Sequence, residues 1–185
     1  MIEVVQPAFR ASMDLLLEDL ASMPLDRWNE SVFRFFFCRA VATQHPDVRQ
    51  FVEAGRIDLV LERAVQRAFI EFKFYDRRIR VGPYDSKSRG YKGGPGRKNL
   101  GEFQRCIDAL HQRPWVPELS KFVVLVYADG AGYPEGRRFS RYLDEYEHPD
   151  EAVALQLLDS CGPSHISGKT VQGKLFEVGS KNARA

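Results

Sequence analysis

The alternation of apolar and polar positions is clearest in two short runs, Ile57–Leu61 and Ala68–Tyr75, joined by a polar connection centred on Arg63–Arg67. In the second run Ala68, Ile70, Phe72 and Phe74 recur at every other position. A strand has a side-chain period of two, so these four share one face while Glu71 and Lys73 share the other. The first run carries Asp58 between Ile57 and Leu59. The pattern predicts a hairpin that buries one face and gathers Asp, Glu and Lys on the other.

Helical spacing surrounds this hairpin. Phe9, Met13, Leu16, Leu17 and Leu20 predict an amphipathic helix over Pro7–Ser22, ended by Pro24. Asp26 is the expected cap of a second helix over Arg27–Thr43, stopped before Pro46. Trp28, Val32, Phe33, Phe35, Phe36, Phe37, Ala40 and Val41 make that helix apolar nearly all round, which predicts a deep position. Glu30 lies in its first turns, where Arg34 is a ready i,i+4 partner. Val48–Glu53 reads as a strand, with Ala54-Gly55 turning into the Asp58 strand. Further on, Asn99 and Glu102 resemble a capping box opening a helix to about Gln112. Lys121–Tyr127 is β-branched and apolar on both faces, the pattern of a central strand covered from both sides. Pro134–His148 predicts another helix, Ala154–Leu158 and Val171–Val178 predict closing strands, and the last few residues are expected to fray. This order predicts one domain with an α/β or α+β sheet carrying helices on its faces.

Composition leaves that picture intact and adds a charge asymmetry. With 185 residues, 44% hydrophobic and 28% charged, the chain suits a globular domain and not a disordered one. The net charge is +2, but Asp76–Lys98 holds eight cations against Asp76 and Asp85, so this segment is +6 and the rest of the chain −4. The cations are Arg77, Arg78, Arg80, Lys87, Arg89, Lys92, Arg97 and Lys98, with Tyr75, Tyr84 and Tyr91 interleaved, a combination suited to phosphate contact and base stacking. Five glycines in the same stretch exclude a helix and predict a mobile basic loop at about 76–98. No apolar run is long enough to span a bilayer, and the first residues lack a secretory pattern. Cys38, Cys106 and Cys161, odd in number and widely spaced, point to a reduced, cytoplasmic protein without a disulfide frame. Gly162–Thr170 imitates a phosphate loop, but five residues separate its glycines where four are required, and strand pattern follows.

An Asp on one strand and Glu-x-Lys on its partner suit a hard divalent cation, Mg²⁺ or Mn²⁺, with the lysine as a point charge beside it. The bland alternative is an edge hairpin with solvated charges. Asp58, embedded among apolar neighbours in Ile57–Leu61, speaks against it.

Ile57-Asp58 followed by Ile70-Glu71-Phe72-Lys73, with Glu30 on a preceding helix, resembles the PD-(D/E)XK nucleases. The resemblance covers about half the chain. It implies a restriction endonuclease-like mixed central sheet flanked by helices, an α/β fold, and a Mg²⁺- or Mn²⁺-dependent nuclease acting on nucleic acid, with DNA the expected substrate. It also implies metal ligands in Asp58, Glu71, the Phe72 carbonyl and Glu30, a catalytic Lys73, and a helix glutamine that here is Gln104. Arg56-Ile57 stand where the motif has its proline, and Asp108 stands where some subfamilies have tyrosine. The alternative is a catalytically silent domain of the same kind that binds nucleic acid or a protein partner. A homodimer or a larger defence or repair assembly is a further expectation; a membrane partner is not.

Overall fold

A computed structural model describes residues 1–20, 22, 28–76, 78–81, 88–92, 96–114, 116–130, 138–166 and 168–180. Its elements are α1 (Ile2–Asp19), α2 (Glu30–Gln44), β1 (Arg49–Ala54), β2 (Ile57–Arg63), β3 (Gln66–Asp76), β4 (Arg78–Val81), β5 (Ser88–Lys92), α3 (Arg97–His111), β6 (Leu119–Gly130), α4 (Ser140–Leu143), β7 (Val153–Ile166) and β8 (Lys169–Ser180). Six strands form one mixed open sheet in the order β1-β2-β3-β6-β8-β7, and β4-β5 form a separate ribbon. The fold is α/β. Its one parallel pairing among the described strands joins β3 to β6, across the connection that contains α3. A helical crossover is the usual way to return a chain parallel to its neighbour.

The central strands of the sheet are buried on both faces. Phe33, Phe37 and Val41 of α2 and Phe9, Met13 and Leu16 of α1 pack on Leu59, Leu61, Ile70, Phe72, Phe122, Val124 and Val126. Phe103, Ile107 and Leu110 of α3 cover Val123, Leu125, Tyr127 and Phe176 from the opposite side. Alternate residues of β6 enter the two cores, as its doubly apolar pattern predicted.

Turn chemistry sets the hairpins. Gly55 and Arg56 both have positive φ (59° and 67°), the backbone of a two-residue type I′ turn between β1 and β2. Between β2 and β3 the connection is only Ala64-Val65, shorter than the predicted polar stretch over Arg63–Arg67. The strands extend because Glu62 accepts from Arg49 on one neighbour at 2.9 Å and from Arg67 on the other at 2.8 Å. Both pairs stand directly across the ladders, so the polar residues hold the register instead of looping out.

Other boundaries differ from expectation for local reasons. Helix α1 starts at Ile2, five residues before the predicted start, because buried Val4, Val5 and Ala8 extend its apolar stripe and draw Pro7 inside. Asn29 caps α2, its side chain accepting from Val32 N–H at 3.0 Å, while the expected cap Asp26 lies outside the described residues. Phe35 on this helix is 62% exposed, so α2 is not buried all round. Gly96, not Asn99, is the N-cap of α3, and the predicted capping box does not form; Asn99 is already helical and its carbonyl accepts from the Tyr75 hydroxyl at 3.1 Å. Within the predicted Pro134–His148 helix the described helical residues are Ser140–Leu143. The stretch expected to be a loop contains paired strands, with Arg78 opposite Lys92 and Ile79 opposite Tyr91. The expected frayed end at 181–185 lies outside the described residues.

Candidate functional site

The β2–β3 ladder runs from Arg63↔Gln66 to Leu59↔Ile70. A strand residue presents its N–H and C=O to the same side, so Phe72, two positions beyond the last pair, turns both toward the space β2 has left. Its N–H donates to Asp58 Oδ2 at 2.9 Å, and its carbonyl accepts from Lys73 Nζ at 2.6 Å. Asp58 thus completes the ladder with a side chain. The Phe72 ring points the other way, 5.3 Å from the Phe37 ring centroid and 6.4 Å from that of Phe33, and anchors this stretch of backbone to α2.

Around this opening the predicted residues converge. Lys73 Nζ lies 3.4 Å from Glu30 Oε2 on the first turn of α2. Glu71 is close enough to Asp58 for the neighbouring carboxylate to raise its proton affinity. Its Oε2 is 4.0 Å from the buried thiol of Cys106 on α3. Glu30, Asp58, Glu71, Lys73 and the Phe72 carbonyl therefore meet at one place, supplied by α2, β2 and β3. A shallow recess of about 450 Å³, lined by Asn29, Glu30, Ser31, Val32 and the exposed Phe35, adjoins the Glu30 side.

Gln104 does not join them. It is half-buried on α3 and makes no hydrogen bond to any of these groups. The α3 side chain that reaches the site is Cys106, and two helical positions are about 200° apart, so the two residues face away from each other. Arg97 and Lys98 are exposed on the first turn of α3; Arg78 and Arg80 belong to β4, and Arg89 and Lys92 to β5. Arg77 and Lys87 lie outside the described residues.

Arg34 does not take the i,i+4 partner that its spacing offered. It leaves Glu30 to Lys73 and instead donates from Nη1 to Asp58 Oδ1 at 3.1 Å and from Nη2 to Glu53 Oε1 at 2.8 Å. Only 9% of Arg34 is exposed. A charge inside the run Val32–Phe37 is the signal that pointed this way, since a cation in a deeply placed apolar helix needs a partner from elsewhere in the fold. Cys106 had a signal too: it lies three residues after Phe103 and one before Ile107, within the inward stripe of α3.

The electrostatics follow from this crowding. Burial, then the adjacent Asp58 carboxylate, push Glu71 up to about 7. Burial also raises Glu30, against the pull of Lys73. Burial alone would lower Lys73, but Cys106, Glu30, Asp58 and Glu71 outweigh it, and its proton is held more tightly than usual. Lys73 is therefore a fixed positive charge, and Glu71 is the group that exchanges a proton near neutral pH.

Among the described residues no three His, Cys, Asp or Glu side chains form a ready-made metal cage. The donor chemistry nonetheless suits a hard divalent ion. Asp58, Glu71 and the Phe72 carbonyl supply oxygens only, and Mg²⁺ is commonly held by one or two carboxylates with water and substrate phosphate completing its shell. Compared with protein-family models, curated proteins and solved structures, the chain matches none. No helix among the described residues is long and apolar enough to cross a membrane.

Proposed function

We propose that the chain is a metal-dependent nuclease of the PD-(D/E)XK kind, hydrolysing phosphodiester bonds in nucleic acid, with DNA as the favoured substrate. The observation that carries this reading is the convergence of Glu30, Asp58, Glu71 and Lys73 on the main-chain groups that Phe72 turns to the open end of the β2–β3 ladder. Helix α2, the β1-β2-β3 meander, α3 and the parallel strand β6 follow one another in the order of the restriction endonuclease-like core, which supports the same reading.

In this reading Asp58, Glu71 and the Phe72 carbonyl hold Mg²⁺ or Mn²⁺, with Glu30 beside them. When bound, such an ion polarises the phosphoryl oxygen and acidifies a water molecule. Lys73, held protonated, steers the nucleophilic water and offsets charge developing on the phosphate. Cations carried by the β4-β5 ribbon and the start of α3 contact the phosphate backbone. The test is incubation of plasmid and single-stranded DNA with Mg²⁺ or Mn²⁺ beside Glu71→Ala and Lys73→Ala. Cleavage by wild type, reduced by about a hundredfold or more in each variant, is the expected result. Equal cleavage by all three removes these residues from the mechanism.

One observation favours a second reading: Arg34 and Lys73 already occupy the acids. A catalytically silent domain that binds nucleic acid or a protein partner would look the same. It predicts salt-sensitive DNA affinity without cation uptake. A Mn²⁺ titration abolished by Asp58→Asn would exclude it.

A further inference from the structure

Asp58 and Glu30 are the two acids a second metal ion would need, and both are already bound to cations of the protein. Two-ion centres set their ions about 3.5–4 Å apart, clamped by shared ligands. Here Asp58 is the carboxylate placed to be shared, because its Oδ2 accepts from Phe72 N–H while its Oδ1 has a different partner on α2. Oδ1 carries Arg34 Nη1 at 3.1 Å, and the guanidinium is fixed on its other arm by Glu53 at 2.8 Å. Glu30 Oε2 is engaged by Lys73 Nζ at 3.4 Å.

The charge balance agrees. With all three acids ionised, as a bound cation requires, Glu30, Asp58 and Glu71 against Arg34 and Lys73 leave one net negative charge in the cluster; Glu53 is 73% exposed in its side chain and largely screened by water. One divalent cation turns that balance to a single positive charge, matched to one phosphodiester. Two would leave an excess of three, concentrated in a half-buried site.

We infer that this centre works with a single divalent ion, and that the Arg34 guanidinium stands permanently where a second ion would bridge on Asp58. The inference rests on the nuclease reading of the site. Arg34 is a positioning residue here: it orients Asp58 and sets the ion count, without touching the reacting phosphate.

The experiment is a Mn²⁺ titration of the full chain by calorimetry, with free Mn²⁺ followed in parallel by electron paramagnetic resonance, on wild type, Arg34→Lys and Arg34→Gln. The expected result is one ion per chain in wild type and Arg34→Lys. Arg34→Gln should take up a second ion or bind the first about tenfold more tightly, through loss of a neighbouring positive charge. Two ions per wild-type chain would overturn the inference and leave the nuclease reading standing. So would an Arg34→Gln protein that is folded by circular dichroism and titrates like wild type. No uptake by any of the three proteins would overturn both. The wild-type stoichiometry decides the matter even where Arg34→Gln fails to fold.

Discussion

At the α4 corner, Asp129 accepts from Phe139 N–H at 2.5 Å, Ser140 N–H at 3.1 Å and the Ser140 hydroxyl at 2.7 Å. Lys174 Nζ donates to the Leu143 and Asp144 carbonyls at 3.3 Å and 2.9 Å. A four-residue helix is too short to persist alone, and these charges tie its two ends to the sheet. Lys121 does likewise at the end of α3, donating to the Arg113 carbonyl at 2.6 Å. At the open end of the β2–β3 ladder the charges are also half-buried or buried, but there acid is gathered against acid and cation bridges between them. Charge that caps backbone is part of the fold. Charge that is buried beside its own kind is held there at a cost, and the proton affinity of Glu71, raised by burial and then by Asp58, reflects that cost.

Exchanging the two lysines breaks the comparison most sharply. Lys73→Met is expected to reduce cleavage by about a thousandfold. Next in size, Asp129→Ala leaves two backbone donors and a hydroxyl without their acceptor and should cost about 2–3 kcal/mol in urea unfolding. Its cleavage per folded molecule stays at the wild-type level, because Asp129 belongs to the capping corner. Lys174→Met should behave similarly, losing about 2 kcal/mol with metal uptake unchanged. An effect of Lys174→Met on Mn²⁺ affinity would erase the distinction between the two regions.

The site has its own stability signature. The folded state holds the Glu71 proton more tightly than the unfolded chain does, since its pKa is raised from 4.5 to about 7. Its contribution to stability is therefore full below about pH 4.5 and is lost as the pH rises through 7. Glu71→Gln should unfold at higher urea than wild type at pH 8, by about 1–2 kcal/mol after allowing for solvent screening, and match it near pH 4. A pH-independent difference would show that burial and the neighbouring Asp58 do not raise this group. The smallest change is Glu53→Gln, whose exposed carboxylate should matter by less than about 0.5 kcal/mol.

The strands and the charged triplet were legible because period-two alternation survives in β3 of the central sheet. Ala68, Ile70 and Phe72 enter one core as their spacing required, and Glu71 and Lys73 take the opposite face. Arg34 was not legible as a partner of Asp58, because the pair is 24 residues apart and forms only when α2 packs on the hairpin. Local spacing favoured Glu30, and tertiary packing overrode it. Asn99 and Glu102 carried the letters of a capping box, but the buried stripe of Phe103, Cys106 and Ile107 set where α3 lies, and the helix begins before them. Gln104 was placed by a pattern of letters without its helical phase, and two residues of phase decide which face a side chain takes.

Position 72 has a consequence of another kind. Its ring is a packing piece between Phe33 and Phe37, while its amide and carbonyl are the groups that meet Asp58 and Lys73. Every amino acid but proline carries the same amide and carbonyl. A library randomised at this position would therefore select on the volume and shape of the side chain, not on any functional group. A centre spelled in the sequence by its charged residues thus keeps one participant with no letter of its own, and repacking the core beneath it is a way to retune the site without touching a single acid or base.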